Sequence, residues 1–133
     1  MGDPKLASVV VATDGSERAG RAVAFAAKLS ACFGAKLTLV HISHDPSAAV
    51  AVQEQAQRSG AALKVVTSDQ PAEAIVEAAH QMGADAIVLG NVGMSDRKEF
   101  LLGNVPNRVS HQASCTVIIV DTRDTKARKK SRR

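Results

Sequence analysis

Five short apolar runs alternate with stretches in which apolar residues recur every three or four positions. Such runs, rich in Val, Ile and Leu, are typical of buried strands, and the stretches between them are typical of amphipathic helices. The predicted strands cover residues 8–13, 35–42, 61–67, 85–90 and 116–120. Because the strands are apolar on both faces and are joined by helices, the pattern predicts an α/β fold: a doubly wound, five-stranded parallel sheet with helices on both faces.

The first predicted helix follows the first strand directly. Ser16 or Asp14 is placed to cap its first turn, and Gly34 is placed to end it. Its predicted inner face has helical spacing and consists of Ala19, Ala22, Val23, Ala26, Leu29 and Phe33. In a sheet of this kind, ligands bind beyond the carboxyl ends of the strands, at the point where the strand order reverses.

The positive charge of the chain is concentrated near its C-terminus. The 133 residues carry a formal net charge of +4. Residues 122–133 hold seven of the 17 Lys and Arg and one of the 13 Asp and Glu, so residues 1–121 retain 10 basic and 12 acidic side chains, a net charge of −2. We therefore expect one folded domain over residues 1–121 and a basic, disordered tail over residues 122–133.

Several classes of function are disfavoured by what the sequence lacks. No apolar run reaches the roughly 18 residues of a membrane span, and the N-terminal residues lack the apolar stretch of a signal peptide, so we expect a cytoplasmic protein with no membrane partner. Trp and Tyr are absent. Base stacking on single-stranded nucleic acid needs such aromatic side chains, so nucleic acid is expected only as a weak, salt-sensitive partner of the basic tail.

Signatures of catalysis and of metal binding are also missing. The sequence has no P-loop, no dinucleotide-binding glycine motif and no nucleophile elbow, so we expect no enzyme, or at most slow hydrolysis of a nucleotide. Cys32 and Cys115 are far apart, and His41 and His44 have no evident third ligand. We therefore expect no permanently bound metal ion.

A glycine pattern follows the fourth predicted strand. Gly90-Asn91-Val92-Gly93 is followed, after nine residues, by Gly103-Asn104-Val105 at the start of the last predicted helix. Glycines let a ligand approach the main chain, and the unpaired N–H groups of a helix N-terminus favour an anion. The spacing is compatible with a phosphate cradle and equally with a simple turn before a capped helix.

The glycine pattern resembles the nucleotide motif of the universal stress protein (UspA-like) family, Gly-x2-Gly-x9-Gly-(Ser/Thr). Residues 11–16 resemble the first strand and turn of that family, residues 39–42 its second strand, and residues 113–120 its last strand. The resemblance extends from about Ser8 to Asp121 in the same order.

The resemblance implies the adenine nucleotide alpha hydrolase-like fold, a homodimer and, in many members, a bound ATP. It implies that adenine lies against the main chain at Ile42, and that Ala12, Thr13 and Asp14 approach the base and ribose. Asp14 would also help to hold Mg²⁺ with the phosphates; the alternative is that Asp14 is a helix cap. The phosphates would lie on residues that match the glycine motif, namely Gly90, Asn91, Val92, Gly93, Gly103, Asn104 and Val105.

Two departures from the family pattern bear on the ligand. Asn104 stands where the family has Ser or Thr, although an Asn side chain can still cap the helix and donate a hydrogen bond. The segment between the second and third strands is shorter than in the family, which thins the wall near the adenine. Alternatives to an ATP-binding stress sensor are therefore a cyclic AMP binder and a dimeric interaction module that binds no ATP.

The fifth predicted strand, Thr116–Val120, bears on assembly. It is apolar on both faces, and such a strand at the edge of a sheet leaves backbone groups open to pairing. Pairing of two such edges would satisfy them, and the family resemblance implies the same homodimer through Thr116–Val120.

Overall fold

The sheet contains five parallel strands in the order β3-β2-β1-β4-β5. A computed structural model describes residues 6–43, 49–91 and 104–123. The strands are β1 (Ser8–Ala12), β2 (Lys36–Ser43), β3 (Ala62–Thr67), β4 (Ala86–Gly90) and β5 (Thr116–Val120). The helices are α1 (Glu17–Phe33), α2 (Ala49–Ser59), α3 (Pro71–Gln81) and α4 (Asn104–Gln112). The predicted fold class is confirmed.

Alternate residues of the central strand β1 enter two separate apolar clusters. Val9 and Val11 belong to a cluster that includes residues of α1 and α2, whereas Val10 packs with Ile75 of α3 and Val109 of α4. Ala12 lies with Val10 on the α3–α4 side, and the three β1 valines are completely buried. Because side chains alternate across a strand, helices on both faces are needed to cover β1.

The helix α1 is correctly predicted at both ends but not along its whole inner face. The Ser16 hydroxyl caps it by accepting a hydrogen bond from the N–H of Ala19 at 3.1 Å. Phe33, predicted to face inward, is 61% exposed, and Ser30 is buried instead. A helix of 17 residues is about 25 Å long, whereas a five-residue strand spans about 17 Å, so the last turn of α1 extends past the strand it covers.

The strand order places the reversal point between β1 and β4. The chain runs from β1 outward to β2 and β3 and then crosses back to β4 and β5 on the other side. The carboxyl ends of β1 and β4 are therefore adjacent and open a crevice where ligands of doubly wound sheets bind. Within residues 6–43, 49–91 and 104–123, no helix is long and apolar enough to cross a bilayer.

Candidate functional site at the carboxyl ends of the strands

The fold brings several of the predicted site residues to one edge of the sheet. Ala12 ends β1 and Ile42 lies near the end of β2; both are buried in the cluster beneath α3 and α4. Val105, in the first turn of α4, packs against the same cluster. Gly90 ends β4, the other neighbour of β1. An apolar floor and the N-terminus of α4 thus lie beside the reversal point.

The structure describes only part of the predicted phosphate cradle. Val92, Gly93 and Gly103 lie outside the described residues. Asn104, predicted to cap the last helix, is the first residue of α4. The described part of the cradle is therefore the end of β4 and the start of α4.

Thr13 is completely buried, and its polar atoms bond within the protein. Its N–H donates to the carbonyl oxygen of Val40 at 3.1 Å, and its carbonyl oxygen accepts from Nδ1 of His41 at 2.9 Å. Its hydroxyl donates to Oε1 of Gln55 and accepts from the N–H of Gly15 at 3.0 Å. Thr13 therefore joins β1 to β2, to α2 and to the turn that follows β1.

Asp14 occupies the turn between β1 and α1. Its Oδ1 accepts a hydrogen bond from the N–H of Ser16 at 2.9 Å, and Gly15 has a φ of 84°, which favours glycine. Since Ser16 is the residue that caps α1, the carboxylate of Asp14 closes the turn and does not cap the helix. The turn presents the half-buried Asp14 beside the end of β1.

The His41 side chain is hydrogen-bonded to the main chain of Thr13. It is 5% exposed, and its Nδ1 carries the proton because the carbonyl oxygen of Thr13 can only accept. Across the part of the chain that the structure describes, no three His, Cys, Asp or Glu side chains form a group that could hold a metal ion.

The end of β4 is tied to the residues after β5, a contact that sequence reasoning missed. The side-chain Oδ1 of Asn91 accepts from both the N–H and the hydroxyl of Thr122 at 3.1 Å, and its Nδ2 donates to Asp121 at 3.3 Å. Arg21 of α1 donates to the carbonyl oxygen of Thr122. The available signal was that Asn91 follows β4 and Thr122 follows β5, because these two strands are adjacent in the sheet.

This contact corrects the predicted boundary between the domain and the tail. Thr122, assigned to a disordered tail, is only 1% exposed. Its bonds to Asn91 and Arg21 make it part of the folded body. Residues 124–133 lie outside the described residues.

Gly90 packs closely against the same contact. A Cβ atom at this position would lie 3.0 Å from Cγ2 of Thr122, closer than carbon atoms normally approach. The absent side chain of Gly90 therefore makes room for Thr122, and contact of Gly90 with phosphate stays a prediction.

Gln55 is a second residue that the sequence did not point to. It belongs to α2, and its side-chain amide contacts the β1–α1 turn twice, at the Thr13 hydroxyl and at the Ser16 carbonyl oxygen. The amphipathic pattern of α2 gives no signal for such a contact, because Gln55 and the turn are about 40 positions apart in sequence.

The model of the "Universal stress protein family" matches residues 6–65 and 52–121, which together span most of the chain. The chain belongs to the universal stress protein family. The resemblance stated from the sequence is thereby confirmed. The matched ranges include β1, the β1–α1 turn, β4 and β5.

Relatives of this universal stress protein include Rv1636 of Mycobacterium tuberculosis, which is 33% identical over 145 residues and covers 86% of this chain and 96% of that protein. YxiE of Bacillus subtilis is 34% identical over 70 residues, 53% of this chain and 47% of YxiE. The chain thus matches about half the length of YxiE and nearly the whole of Rv1636.

Solved structures of family members show the same fold. A universal stress protein crystallised in complex with cAMP is 34% identical, with a TM-score of 0.74, and the match covers 89% of this chain and 98% of that one. A universal stress protein from Archaeoglobus fulgidus is 26% identical, with a TM-score of 0.69, and the match covers 86% and 93%.

Proposed function

We propose that this universal stress protein binds an adenine nucleotide, ATP with Mg²⁺, and acts in the cytoplasm as a dimeric sensor or signalling protein and not as an enzyme. The observation that carries the proposal is the meeting of Ala12, Ile42 and Val105 on one apolar cluster at the reversal point of the sheet. A related universal stress protein has been crystallised with cAMP, which supports the adenine nucleotide class.

The chemistry of the described residues suits such a ligand. An apolar floor beside the strand ends favours a purine base, and main-chain groups there can supply hydrogen bonds without aromatic stacking. The N-terminus of α4 favours phosphate through its unpaired N–H groups and its dipole. Since residues 1–121 carry a net charge of −2, local N–H groups matter more for the anion than overall charge.

Asp14 is the residue through which Mg²⁺ would act. A carboxylate oxygen is a preferred ligand of Mg²⁺, which binds proteins through one or two carboxylates together with substrate phosphates. Mg²⁺ would neutralise phosphate charge beside the β1–α1 turn.

The test is calorimetric titration of the full chain with ATP, AMP and cAMP, with and without MgCl₂. We expect ATP binding that strengthens with Mg²⁺. Tighter binding of cAMP than of ATP would replace ATP by the cyclic AMP alternative, which the cAMP-bound relative favours. Absence of binding for all three nucleotides would leave the dimeric interaction module as the function.

Asp14→Asn isolates the contribution of the carboxylate. The Asn side chain retains an oxygen for the hydrogen bond from Ser16, so the turn is preserved while the charge is removed. We expect the Mg²⁺-dependent gain in ATP affinity to fall by about tenfold, the effect of losing about 1.4 kcal/mol of binding free energy. Glu17→Gln, which removes an exposed charge three residues away, is the matched control.

We further propose that two chains pair through β5. The strand lies at the edge of the sheet, and Ile119 is 37% exposed there. Ile119→Lys should convert the dimer to a monomer in analytical ultracentrifugation, because a buried charge would oppose edge pairing. Val65→Lys on the opposite edge strand β3, where the side chain is 56% exposed, should leave the dimer intact. A monomeric wild-type chain would contradict this assignment.

A further inference from the structure

The side chain of Gln55 connects α2 to the β1–α1 turn. Its Oε1 accepts the hydroxyl hydrogen bond of Thr13, and its Nε2 donates to the carbonyl oxygen of Ser16 at 3.0 Å. One amide group therefore holds the turn at two points, one on each side of Asp14 and Gly15.

The two anchors are themselves fixed. Thr13 is completely buried and bonded to β2 through Val40 and His41. The Ser16 carbonyl oxygen also accepts the N–H of Gly20 at 2.9 Å, the first hydrogen bond of α1. Gln55 thus connects the end of a buried strand to the beginning of a helix, and the turn between them has little freedom to move.

The surface of α1 accommodates this side chain. A Cβ atom at Gly20 would lie 3.3 Å from Nε2 of Gln55, tighter than most side-chain contacts. The absence of a side chain at Gly20 allows α2 to bring the amide against the first turn of α1.

We propose that Gln55 is a positioning residue of the nucleotide site: it holds the β1–α1 turn, residues 13–16, in the conformation that presents Asp14 and the end of β1 to the ligand. The proposal rests on the proposed function, since the turn carries predicted ligand contacts. Gln55 acts through the turn. Because it orders the turn before the ligand binds, it lowers the entropy cost of binding.

Three variants separate the two anchors. Gln55→Met retains length and volume but removes both hydrogen bonds. Gln55→Glu retains the acceptor for the Thr13 hydroxyl and removes the donor to Ser16. Gln53→Met changes an exposed residue on the same helix and is the matched control.

The first measurement is ATP affinity of the full chain by calorimetry, beside thermal unfolding. We expect Gln55→Met and Gln55→Glu to bind ATP about tenfold more weakly, since both lose the hydrogen bond to Ser16, and Gln53→Met to match the wild type. To separate positioning from stability, each affinity is measured well below the unfolding transition of that variant, so that a loss of affinity reports on the folded state.

The second measurement is amide hydrogen exchange of the ligand-free chain at Gly15 and Ser16, whose N–H groups bond within the turn. Gln55→Met should accelerate exchange at these amides by about tenfold and leave the amides of β4 unchanged. This readout does not require nucleotide binding.

The outcomes distinguish the two proposals. If wild-type chain binds ATP and Gln55→Met binds it equally well, the positioning role is overturned while the proposed function stands. If the wild type binds no adenine nucleotide, the proposed function is overturned; faster exchange at Gly15 and Ser16 then still supports Gln55 as the residue that orders the turn, and unchanged exchange overturns that role too.

Discussion

The two strand ends that flank the crevice are held in different ways. After β1, the turn is held by hydrogen bonds between polar groups: Thr13 with β2 and α2, and Asp14 with Ser16. After β4, the Asn91 side chain is hydrogen-bonded to Thr122 and Asp121, and Gly90 leaves space that Thr122 fills. The β1 end of the crevice depends on satisfied polar groups, whereas the β4 end depends on polar groups and also on volume.

This difference indicates which kind of change each end tolerates. The β1 end should be sensitive to loss of a hydrogen-bond partner, because a buried polar group left alone keeps its desolvation cost. The β4 end should be sensitive to added atoms, because a packed interior has little free space. The two ends also have different partners. The β1 end contacts β2 and α2, and the β4 end contacts the residues after β5.

The largest expected effect is that of added volume at the β4 end. Gly90→Val should lower the free energy of unfolding by about 3 kcal/mol, because its Cβ and methyl groups would overlap Thr122. Urea denaturation measures the change. Combining it with Thr122→Ser, which removes the Cγ2 atom, should restore part of the loss. Equal stability of Gly90→Val and wild type would show that volume does not limit this end.

Loss of a polar partner at the β1 end should have the next largest effect. His41→Leu leaves the buried carbonyl oxygen of Thr13 without its hydrogen bond and should cost about 2 kcal/mol in urea denaturation. His80→Leu, at an exposed position of α3, is the control. An unchanged midpoint for His41→Leu would contradict the importance of polar partners there.

Removal of the amide at the β4 end should cost less. Asn91→Ala breaks the bonds to Thr122 and Asp121, but solvent can reach this half-buried position, so we expect a loss of about 1 kcal/mol. Asn107→Ala on the exposed side of α4 should change stability little. A loss for Asn91→Ala larger than that for His41→Leu would reverse the proposed contrast between the two ends.

The smallest effect is expected at the exposed cap of α1. Ser16→Ala removes the acceptor for the N–H of Ala19 and should lower the free energy of unfolding by about 0.5 kcal/mol. Ser16→Asp supplies another capping oxygen and should retain most of the stability. If Ser16→Ala and Ser16→Asp melt at the same temperature, the cap does not contribute to the β1 end.

The sequence predicted the elements more completely than it predicted their contacts. Alternating apolar runs were enough for the five strands, and Ser16 and Gly34 marked the ends of α1. Phe33 was wrongly assigned to the core because helical periodicity contains no information about where the neighbouring strand stops. That the residues at the ends of β1 and β4 contact a ligand remains a prediction.

The sequence by itself determined the fold class and which residues lie at the carboxyl edge of the sheet. Both follow from local patterns, since hydrophobic periodicity and strand–helix alternation restrict the possible topologies. Only the tertiary structure decided that Gln55 holds the β1–α1 turn and that Thr122 occupies the space beside Gly90. Those contacts join residues that are distant in sequence, and hydrogen bonding and close packing select such partners only after the strands and helices have come together.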